Sequence, residues 1–303
     1  MSDPSTACDL CGGMDFQPLY PGTIPDEDRQ ELERSRAYFS SSRRSAGHFP
    51  IVRCKKCGLV MQNPHDDEGA LAQIYAGLRD DAYQGENQNR RELAKRRVAQ
   101  INKLAGTGRL LDAGCSTGIF VQAACEAGWQ ATGLDPSGWA IELARRQAPG
   151  AAFVTASILE ASFAEHCFDV ITLWDVLEHV SSPSQTLAAL RPWLKPGGWL
   201  ALNLPDAASW PARLMGRRWV LLLREHIWYF TPATLGRLLE KTGFELVQTR
   251  PNMVNFSLYN IFTRLGQYPG GIGSTARWLS ARGGMGIISV RFPMGEMTAF
   301  ARK

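Results

Sequence analysis

Two pairs of cysteines near the start of the chain have a spacing that suits a metal ion. Cys8 and Cys11 lie in CDLC, and Cys54 and Cys57 lie in CKKC. A C-x-x-C turn directs two thiolates at one ion, and two such turns complete a tetrahedral zinc site. A disulfide framework fits poorly with a reducing compartment, and a redox C-x-x-C usually lies beside a β-α-β pattern that the sequence lacks here. We therefore predict one structural zinc ion in a module over residues 1–75, with an insertion at 25–47.

A second chemical signal is a glycine-containing loop. The stretch RLLDAGCSTGIF, residues 109–120, places Asp112 at the loop entry and glycines at Gly114 and Gly118 before a helical pattern. Asp135 ends the next strand about 20 residues later, where an acid binds ribose hydroxyls in nucleotide-binding folds. A carboxylate in the loop would repel a pyrophosphate, whereas it suits a cationic cofactor that carries an amine and a sulfonium.

An α/β scaffold must position these residues. From residue 109 onward, short apolar runs alternate with helical segments, which is typical of a parallel sheet covered by helices. We predict the strands RLLDA, QATGLD, AAFVTA, FDVITLW and WLALNLP in an α/β, doubly wound, Rossmann-like sheet. A helical connector at 76–105 leads into this core, which spans 106–250.

Four segments share their order and spacing with a known family: LLDAGCSTG, GLDPS, FDVITLWDVLEHV and LRPWLKPGGWLALNLP. Through them the chain resembles the class I S-adenosylmethionine-dependent methyltransferases. The resemblance implies S-adenosylmethionine (SAM) as the cofactor and methyl transfer as the activity. It also implies that Asp112, Gly114 and Gly118 shape the methionine end of the site, and that Asp135 holds the ribose hydroxyls.

The resemblance assigns further cofactor contacts. Ser157 and Ile158 follow the third strand and would lie near the adenine. The family often has an acid near that point, and TASIL has none. Cys115, Pro136 and Trp174 complete the cofactor site that the resemblance implies.

Later motifs narrow the resemblance to a subgroup. LEHV, KPGG and EHIWYFTPATLGRLLEKTGF are similar to a subgroup that includes sugar and small-molecule methyltransferases, some with a cysteine-rich amino-terminal module. The family's sheet ends with an antiparallel hairpin, which FELVQTR and the terminal EMTAFARK could supply. Residues 251–303 would then form a basic, apolar insertion and the final strand.

Three residues are candidates for acid–base chemistry. Transfer from a sulfonium requires a base only when the acceptor is a hydroxyl or a carbon acid. His179 follows the fourth strand, and His226 lies in a segment expected to cover the pocket, so we predict both as bases. Tyr229 is an alternative donor or base. For His179, a buried structural role is the competing interpretation.

The covering segment, about residues 205–230, is predicted to be a substrate lid. Arg217 and Arg218 would bind an anionic group, because guanidinium forks recognise phosphate. We therefore expect a small anionic acceptor, such as a nucleotide- or lipid-linked sugar, methylated at oxygen or carbon. The competing interpretation is an amphipathic cover with its arginines in water.

The composition limits the classes of partner. A chain of 303 residues with 45% hydrophobic content can bury a sizeable core, and a net charge of +4 is too weak to favour nucleic acid. Two alternatives stay open: an RNA methyltransferase that reads RNA with its zinc module, and a non-catalytic regulatory protein that binds SAM and zinc.

The expected location is cytoplasmic. No signal peptide and no run approaching a membrane span are visible in the sequence. The segment from Leu246 to Gly295 contains five arginines and no acid, so it predicts peripheral contact with an anionic membrane on the cytosolic face. The oligomeric state stays open.

Overall fold

The structure is a computed structural model, and it describes residues 6–24, 47–65, 71, 87–257 and 289–303. The predicted insertion lies outside these residues except for its last position, as does the part of the predicted connector before residue 87. The chain divides into two compact units, Met1–Arg250 with Gly295–Lys303, and Pro251–Met294. The predicted domain boundaries stay predictions.

The described secondary structure consists of strands and helices that alternate from residue 87 onward. The strands are β1 (Phe16–Tyr20), β2 (Ile51–Cys54), β3 (Val60–Gln62), β4 (Arg109–Ala113), β5 (Gln130–Asp135), β6 (Ala152–Thr155), β7 (Phe168–Trp174), β8 (Leu194–Pro205), β9 (Trp228–Tyr229), β10 (Glu245–Ser257) and β11 (Ser289–Arg302). The α-helices are α1 (Asn87–Ala105), α2 (Ile119–Glu126), α3 (Gly138–Gln147), α4 (Pro183–Leu190), α5 (Trp210–Met215) and α6 (Pro232–Lys241).

The larger sheet has seven strands in the order β10-β11-β8-β7-β4-β5-β6. The five strands from β8 to β6 in this order pair in parallel, and β11 runs antiparallel to β8. The α/β, Rossmann-like fold predicted from the sequence is confirmed. All but the first residue of FELVQTR lies in β10, and all but the last residue of EMTAFARK lies in β11, where the family's final hairpin was expected.

The parallel strands are apolar on both faces because helices cover both sides. Leu110 of β4 packs in one buried cluster with Val98 and Ile101 of α1. The next residue, Leu111, packs in the other cluster with Leu187 of α4. Since successive side chains of a strand point to opposite faces, β4 separates two apolar layers. This layered core holds the carboxyl ends of the strands together at one edge of the sheet.

The cysteine-bearing segment forms a second sheet, in the order β1-β2-β3-β9. Met61 of β3 pairs with Trp228 of β9, so this sheet includes two residues of the predicted 106–250 core. Leu59 beside the cysteines also packs in the same buried cluster as Leu187. We call residues 6–24 and 47–65 the cysteine module, and it shares both backbone pairing and apolar packing with the α/β core.

Candidate active site

Asp112 is buried at the end of β4, with 2% of its surface exposed. Its Oδ1 accepts a hydrogen bond of 2.6 Å from the Thr172 hydroxyl on the adjacent strand β7. Burial raises the pKa of Asp112 to about 7, while the Thr172 hydrogen bond and the charge of Arg97 act in the opposite direction. A carboxyl with this pKa can become fully ionised when a cationic group approaches it.

The loop after β4 has a backbone that favours glycine at two predicted positions. Gly114 has a φ of 84°, and a β-carbon there would collide with Val176. Gly118 has a φ of 77° at the start of α2, and a β-carbon there would lie 2.8 Å from Ala144 Cβ. Side chains are therefore excluded at both positions, and the loop packs closely against Val176 and Ala144.

Asp135 is held at the end of β5 by two backbone donors. Its Oδ2 accepts the Ser116 N–H at 2.8 Å, and its Oδ1 accepts the Ser137 N–H at 2.9 Å. Burial raises the pKa of Asp135, whereas these two hydrogen bonds lower it. The contacts fix the carboxylate between the glycine loop and the start of α3, and the charge of Asp135 reaches Asp112. The structure thus brings together the two acids that the sequence predicted for opposite ends of one cofactor.

The remaining predicted cofactor residues lie around the same edge in different environments. Cys115 is buried at 6% exposure, and Pro136 is half-buried beside Asp135. Trp174 is buried at the end of β7, and its indole N–H has no hydrogen-bond partner among the described residues. A buried donor without a partner is costly, so it fits a site that a polar ligand completes.

A carboxylate does lie after the third strand, although TASIL itself has none. The N–H and the hydroxyl of Ser157 both donate to Glu160 Oε2, at 3.2 and 2.8 Å. Ile158 beside them packs against the core. TASIL ends one residue before Glu160, and the i, i+3 spacing of Ser157 and Glu160 was the signal that would have found this carboxylate.

Arg97 is a functional candidate that sequence reasoning missed. It projects from α1, and its guanidinium carbon lies 4.4 Å from the Trp174 ring centroid. Its Nη2 lies 3.4 Å from Asp175 Oδ2, and its Nε is buried without a hydrogen-bond partner among the described residues. Arg97 therefore places a positive charge beside the two strand ends that carry Asp112 and Trp174.

His179 and His226 meet edge to face, with their ring centroids 4.7 Å apart. His179 Nδ1 lies 2.8 Å from the carbonyl oxygen of Glu225, and His226 Nδ1 lies 2.9 Å from that of Leu221. A carbonyl can only accept, so each Nδ1 carries the proton and each Nε2 keeps a lone pair. Burial lowers the pKa of His179 to about 4 and the pKa of His226 well below its ordinary value. Both imidazoles are consequently neutral bases at neutral pH.

Glu178 lies beside this pair and is almost fully buried. Its Oε1 is 4.0 Å from His179 Nε2, and its Oε2 has no hydrogen-bond partner among the described residues. Burial raises the pKa of Glu178 well above its ordinary value, and the charge of Asp175 adds to this effect. Its backbone carbonyl accepts hydrogen bonds from the N–H groups of Ile227 and Trp228, which connects the segment after β7 to the residues that follow His226.

Tyr229 is buried with 1% of its surface exposed, and its hydroxyl lies 3.3 Å from the carbonyl oxygen of Leu223, to which it donates. Burial raises its pKa, so the hydroxyl keeps its proton. The role predicted for Tyr229 is untested, and the two histidines offer better bases.

The predicted lid is a short helix followed by a turn. Trp219 anchors it at 5% exposure, whereas Leu214 is 78% exposed. Arg217 and Arg218 are exposed, and no contact among the described residues joins them to the histidines or to the glycine loop. The substrate-binding role of these arginines stays a prediction.

The four predicted metal ligands converge at the base of the cysteine module. Their four Sγ atoms all lie within 4.8 Å of one another, and none forms a disulfide. The Cys8–Cys57 and Cys11–Cys54 Sγ distances are 3.4 and 3.5 Å. Ligands about 2.3 Å from a tetrahedral zinc ion would be about 3.8 Å apart, so the thiol positions fit the ion. Burial raises the pKa of Cys8, which makes the thiolate dependent on a nearby cation.

A seven-stranded sheet with one antiparallel strand next to β8, a glycine loop after its central strand and an acid at the end of the next strand define a class I SAM-dependent methyltransferase fold. A family model described as a methyltransferase domain matches residues 86–249, more than half of the chain. The chain belongs to this family, as the resemblance predicted.

Curated relatives include two ubiquinone biosynthesis O-methyltransferases. That of Nitrosospira multiformis is 31% identical over 156 residues, which cover 48% of this chain and 65% of the relative. That of Thiobacillus denitrificans is 30% identical over 155 residues, which cover 47% of this chain and 66% of the relative. The chain thus spans slightly less than two thirds of the length of each.

Among solved structures, a SAM-dependent methyltransferase from Leishmania major has a TM-score of 0.50 and 13% identity, covering 78% of this chain and 82% of that one. This similarity supports the fold alone. In the part of the chain that the structure describes, no helix combines the length and the apolar character that crossing a membrane requires. The predicted basic segment before Gly295 lies largely outside the described residues.

Proposed function

We propose that the chain is a SAM-dependent O-methyltransferase that acts on a hydroxyl of a small-molecule acceptor. One observation carries this proposal: two adjacent imidazoles, that of the half-buried His179 and that of the buried His226, both donate from Nδ1 to backbone carbonyls and so keep Nε2 as a base. A base is what an alcohol or phenol acceptor needs, whereas an amine acceptor could react without one. The relatives named O-methyltransferases agree with this choice.

The cofactor site is proposed at the edge formed by β4, β5 and β7. Asp112 and Asp135 supply carboxylates, and the loop after β4 holds Gly114 and Gly118 in backbone conformations that side chains disfavour. SAM, when bound there, supplies a methyl group that is already activated on a sulfonium. Asp112 would face its positive charge, and Asp135 would accept from the ribose hydroxyls. The residues predicted to line the rest of this site are Cys115, Pro136, Ser157, Ile158 and Trp174.

The protein's share of the reaction is to align the acceptor and to remove one proton. Nε2 of His226 would take the proton of the acceptor hydroxyl, and the methyl group would pass to the acceptor oxygen as its bond to the sulfonium sulfur breaks, which leaves a neutral thioether. His179 packs against this ring and limits its motion. Burial keeps bulk water away from the His226 ring, which preserves the neutral form of the base.

The acceptor is proposed to be anionic, such as a sugar on a nucleotide or lipid phosphate. Arg217 and Arg218 support this choice because they are exposed on the lid and can offer guanidinium forks to a phosphate. The identity to relatives named for ubiquinone biosynthesis favours a second candidate, an intermediate of that pathway. Contact of residues 246–295 with a membrane belongs to the same proposal, since a lipid-linked acceptor would require it.

A structural zinc ion is proposed in the cysteine module, held by four thiolates. The experiment that tests the whole proposal incubates the purified chain with methyl-labelled SAM and separate pools of nucleotide sugars, lipid-linked sugars, quinone precursors and RNA, and reads the products by mass spectrometry. Label at oxygen of a small molecule is the expected result. Label in RNA would indicate the RNA methyltransferase, and no transfer to any pool despite SAM binding would favour the non-catalytic alternative.

A further inference from the structure

Gln62 is a fully buried residue at the end of β3, and both the oxygen and the nitrogen of its side-chain amide form hydrogen bonds. Its Oε1 accepts the Phe49 N–H at 2.7 Å. Because only the oxygen of the amide can accept from an N–H, this contact sets the orientation of the side chain. Its Nε2 must then face away from Phe49, toward residues 221–227, which we call the histidine loop.

The histidine loop directs several carbonyl oxygens at this single residue. Gln62 Nε2 lies 2.8 Å from the carbonyl oxygen of Leu223, 2.9 Å from that of Arg224 and 2.6 Å from that of His226. The backbone N–H of Gln62 also donates to the carbonyl of Ile227 at 2.8 Å. Carbonyl dipoles that converge in a buried space repel one another unless a donor lies between them. Gln62 supplies that donor, so the loop conformation depends on it.

The same loop determines which nitrogen carries the proton in each histidine. The carbonyl of Leu221 accepts from His226 Nδ1, and the carbonyl of Glu225 accepts from His179 Nδ1. The carbonyl of Glu225 lies between those of Arg224 and His226, which Gln62 contacts, and the carbonyl of Leu221 lies two residues before that of Leu223. A change in the loop would therefore turn these carbonyls away and free Nδ1 to lose its proton.

We propose that Gln62 is a positioning residue, which acts through the histidine loop to keep His226 and His179 in the Nδ1–H tautomer, so that Nε2 of each ring keeps its lone pair. This inference rests on the proposed function, in which His226 is the base. It gives the cysteine module a role in catalysis, since the module contributes the side chain that orders the acid–base pair.

The cysteine module is attached firmly enough for this role. Asp9 accepts hydrogen bonds from the Ser182 hydroxyl at 2.6 Å and from the Ser184 N–H at 2.8 Å, at the start of α4. Lys241 of α6 donates to the carbonyl of Asp9 at 2.7 Å. Gln62 itself lies on a strand paired on both sides rather than on a free loop. Rigid supporting elements are what hold catalytic groups in a productive geometry.

The test compares Gln62→Met, which keeps the length of the side chain but removes both the amide donor and the amide acceptor, with Asn63→Leu as the matched control. Asn63 is the next residue and is also buried, but its side chain bonds to Thr6 within the cysteine module. Long-range proton–nitrogen NMR of histidine-labelled protein reports the tautomer directly and requires no acceptor. The expected result is Nδ1–H for both histidines in the wild type and in Asn63→Leu, and a mixed or Nε2–H population in Gln62→Met.

Wild-type tautomers retained in Gln62→Met would overturn the proposal, as would Nε2–H in the wild type itself. If Gln62→Met does not fold, Gln62→Glu is examined in the same way, because it sets a carboxylate against the same carbonyls. Failure of both to fold while Asn63→Leu folds would also overturn it, since Gln62 would then serve folding rather than positioning.

Turnover separates this inference from the function on which it rests. On an acceptor identified by the screen, Gln62→Met should lower kcat about tenfold per folded molecule, with SAM affinity and acceptor KM nearly unchanged. Altered tautomers in Gln62→Met together with full turnover of His226→Asn would contradict His226 as the base and leave the tautomer control by Gln62 intact. Unaltered tautomers in Gln62→Met together with an inactive His226→Asn would instead contradict the tautomer control by Gln62 and leave His226 as the base.

Discussion

The carboxyl of Asp112 and the hydroxyl of Thr172 form a 2.6 Å hydrogen bond between neighbouring parallel strands, and both side chains are buried. The hydroxyl is the only donor to Asp112 among the hydrogen bonds of the described residues, so burial outweighs it and the pKa rises to about 7. With this pKa, Asp112 is only about half ionised at neutral pH in the free protein. A cation bound beside Asp112 would lower this pKa, so that the carboxyl becomes fully ionised in the complex.

SAM affinity should therefore depend on pH in a predictable direction. Below its pKa of about 7, Asp112 is protonated in the free protein and must release a proton when the cationic cofactor binds. Calorimetry should find affinity about tenfold weaker at pH 6 than at pH 8, with proton release at pH 6. Asp112→Asn should bind weakly at both values. Equal wild-type affinity at the two pH values would contradict the assignment of Asp112 to the cofactor site.

The same acid should reduce the stability of the free protein. The folded state keeps its proton up to about pH 7, whereas the unfolded chain releases it near 3.8, so the free energy of unfolding falls as pH rises between these values. Asp112→Asn cannot ionise and should be more stable than the wild type at pH 8, by up to about 4 kcal/mol, with a smaller gain at pH 5. Urea titrations at the two pH values measure this. A variant less stable at pH 8 would show that the carboxylate is well solvated.

The histidine pair provides a separate test of the chemistry. His226→Asn should lower turnover by roughly 10²-fold or more at saturating SAM, because the acceptor proton loses its base, while cofactor binding stays intact. His166→Asn is the matched control, since His166 is exposed and lies outside the site. In the wild type, the lowered pKa of His226 should keep turnover high below pH 6.5, where an ordinary histidine would be protonated. Turnover that is lost at pH 6 with SAM saturating would contradict a buried neutral base.

The cysteine module should contain one zinc ion per chain. Cys54→Ser should lose the ion and lower the melting temperature by roughly 5 °C or more, because metal binding contributes folding free energy. Cys125→Ser removes a cysteine outside the cluster and should keep both the ion and the melting temperature. Elemental analysis and thermal melts measure the two effects. Metal-free wild-type protein, purified under reducing conditions without chelator, would contradict the proposed site.

Much of the parallel sheet could be predicted because its signal is local. RLLDA, QATGLD and FDVITLW are short apolar runs bounded by turns, and they correspond to β4, β5 and β7 with the same bounds. Asp112 and Asp135 could be predicted for the same reason, since each ends such a run. Gly114 and Gly118, which the sequence predicted in the cofactor loop, both have the positive φ that favours glycine.

The contacts that complete the site could not be predicted in this way because they join distant parts of the chain. Gln62 and His226 are 164 positions apart, and no periodicity links them. Arg97 lies on a polar helix face one residue before the buried Val98, so its pattern resembles that of an ordinary surface arginine. Only the packing of α1 against the end of β7 reveals its position over Trp174.

Arg97 should tune the acid that binds the cofactor. Its charge lowers the pKa of Asp112, so removing it should raise that pKa further and leave less carboxylate at neutral pH. Arg97→Met should weaken SAM binding at pH 7 by about tenfold and move the pH dependence of affinity upward, whereas Arg97→Lys should retain part of the effect because it keeps the charge. Arg96→Met, which changes the exposed neighbouring arginine, is the matched control and should bind as the wild type does. Calorimetric titrations across pH 6 to 8 distinguish these variants. Unchanged affinity and pH dependence in Arg97→Met would show that Arg97 only packs on Trp174. The pKa of Asp112 would then be controlled by burial, Thr172 and the charge of Asp135.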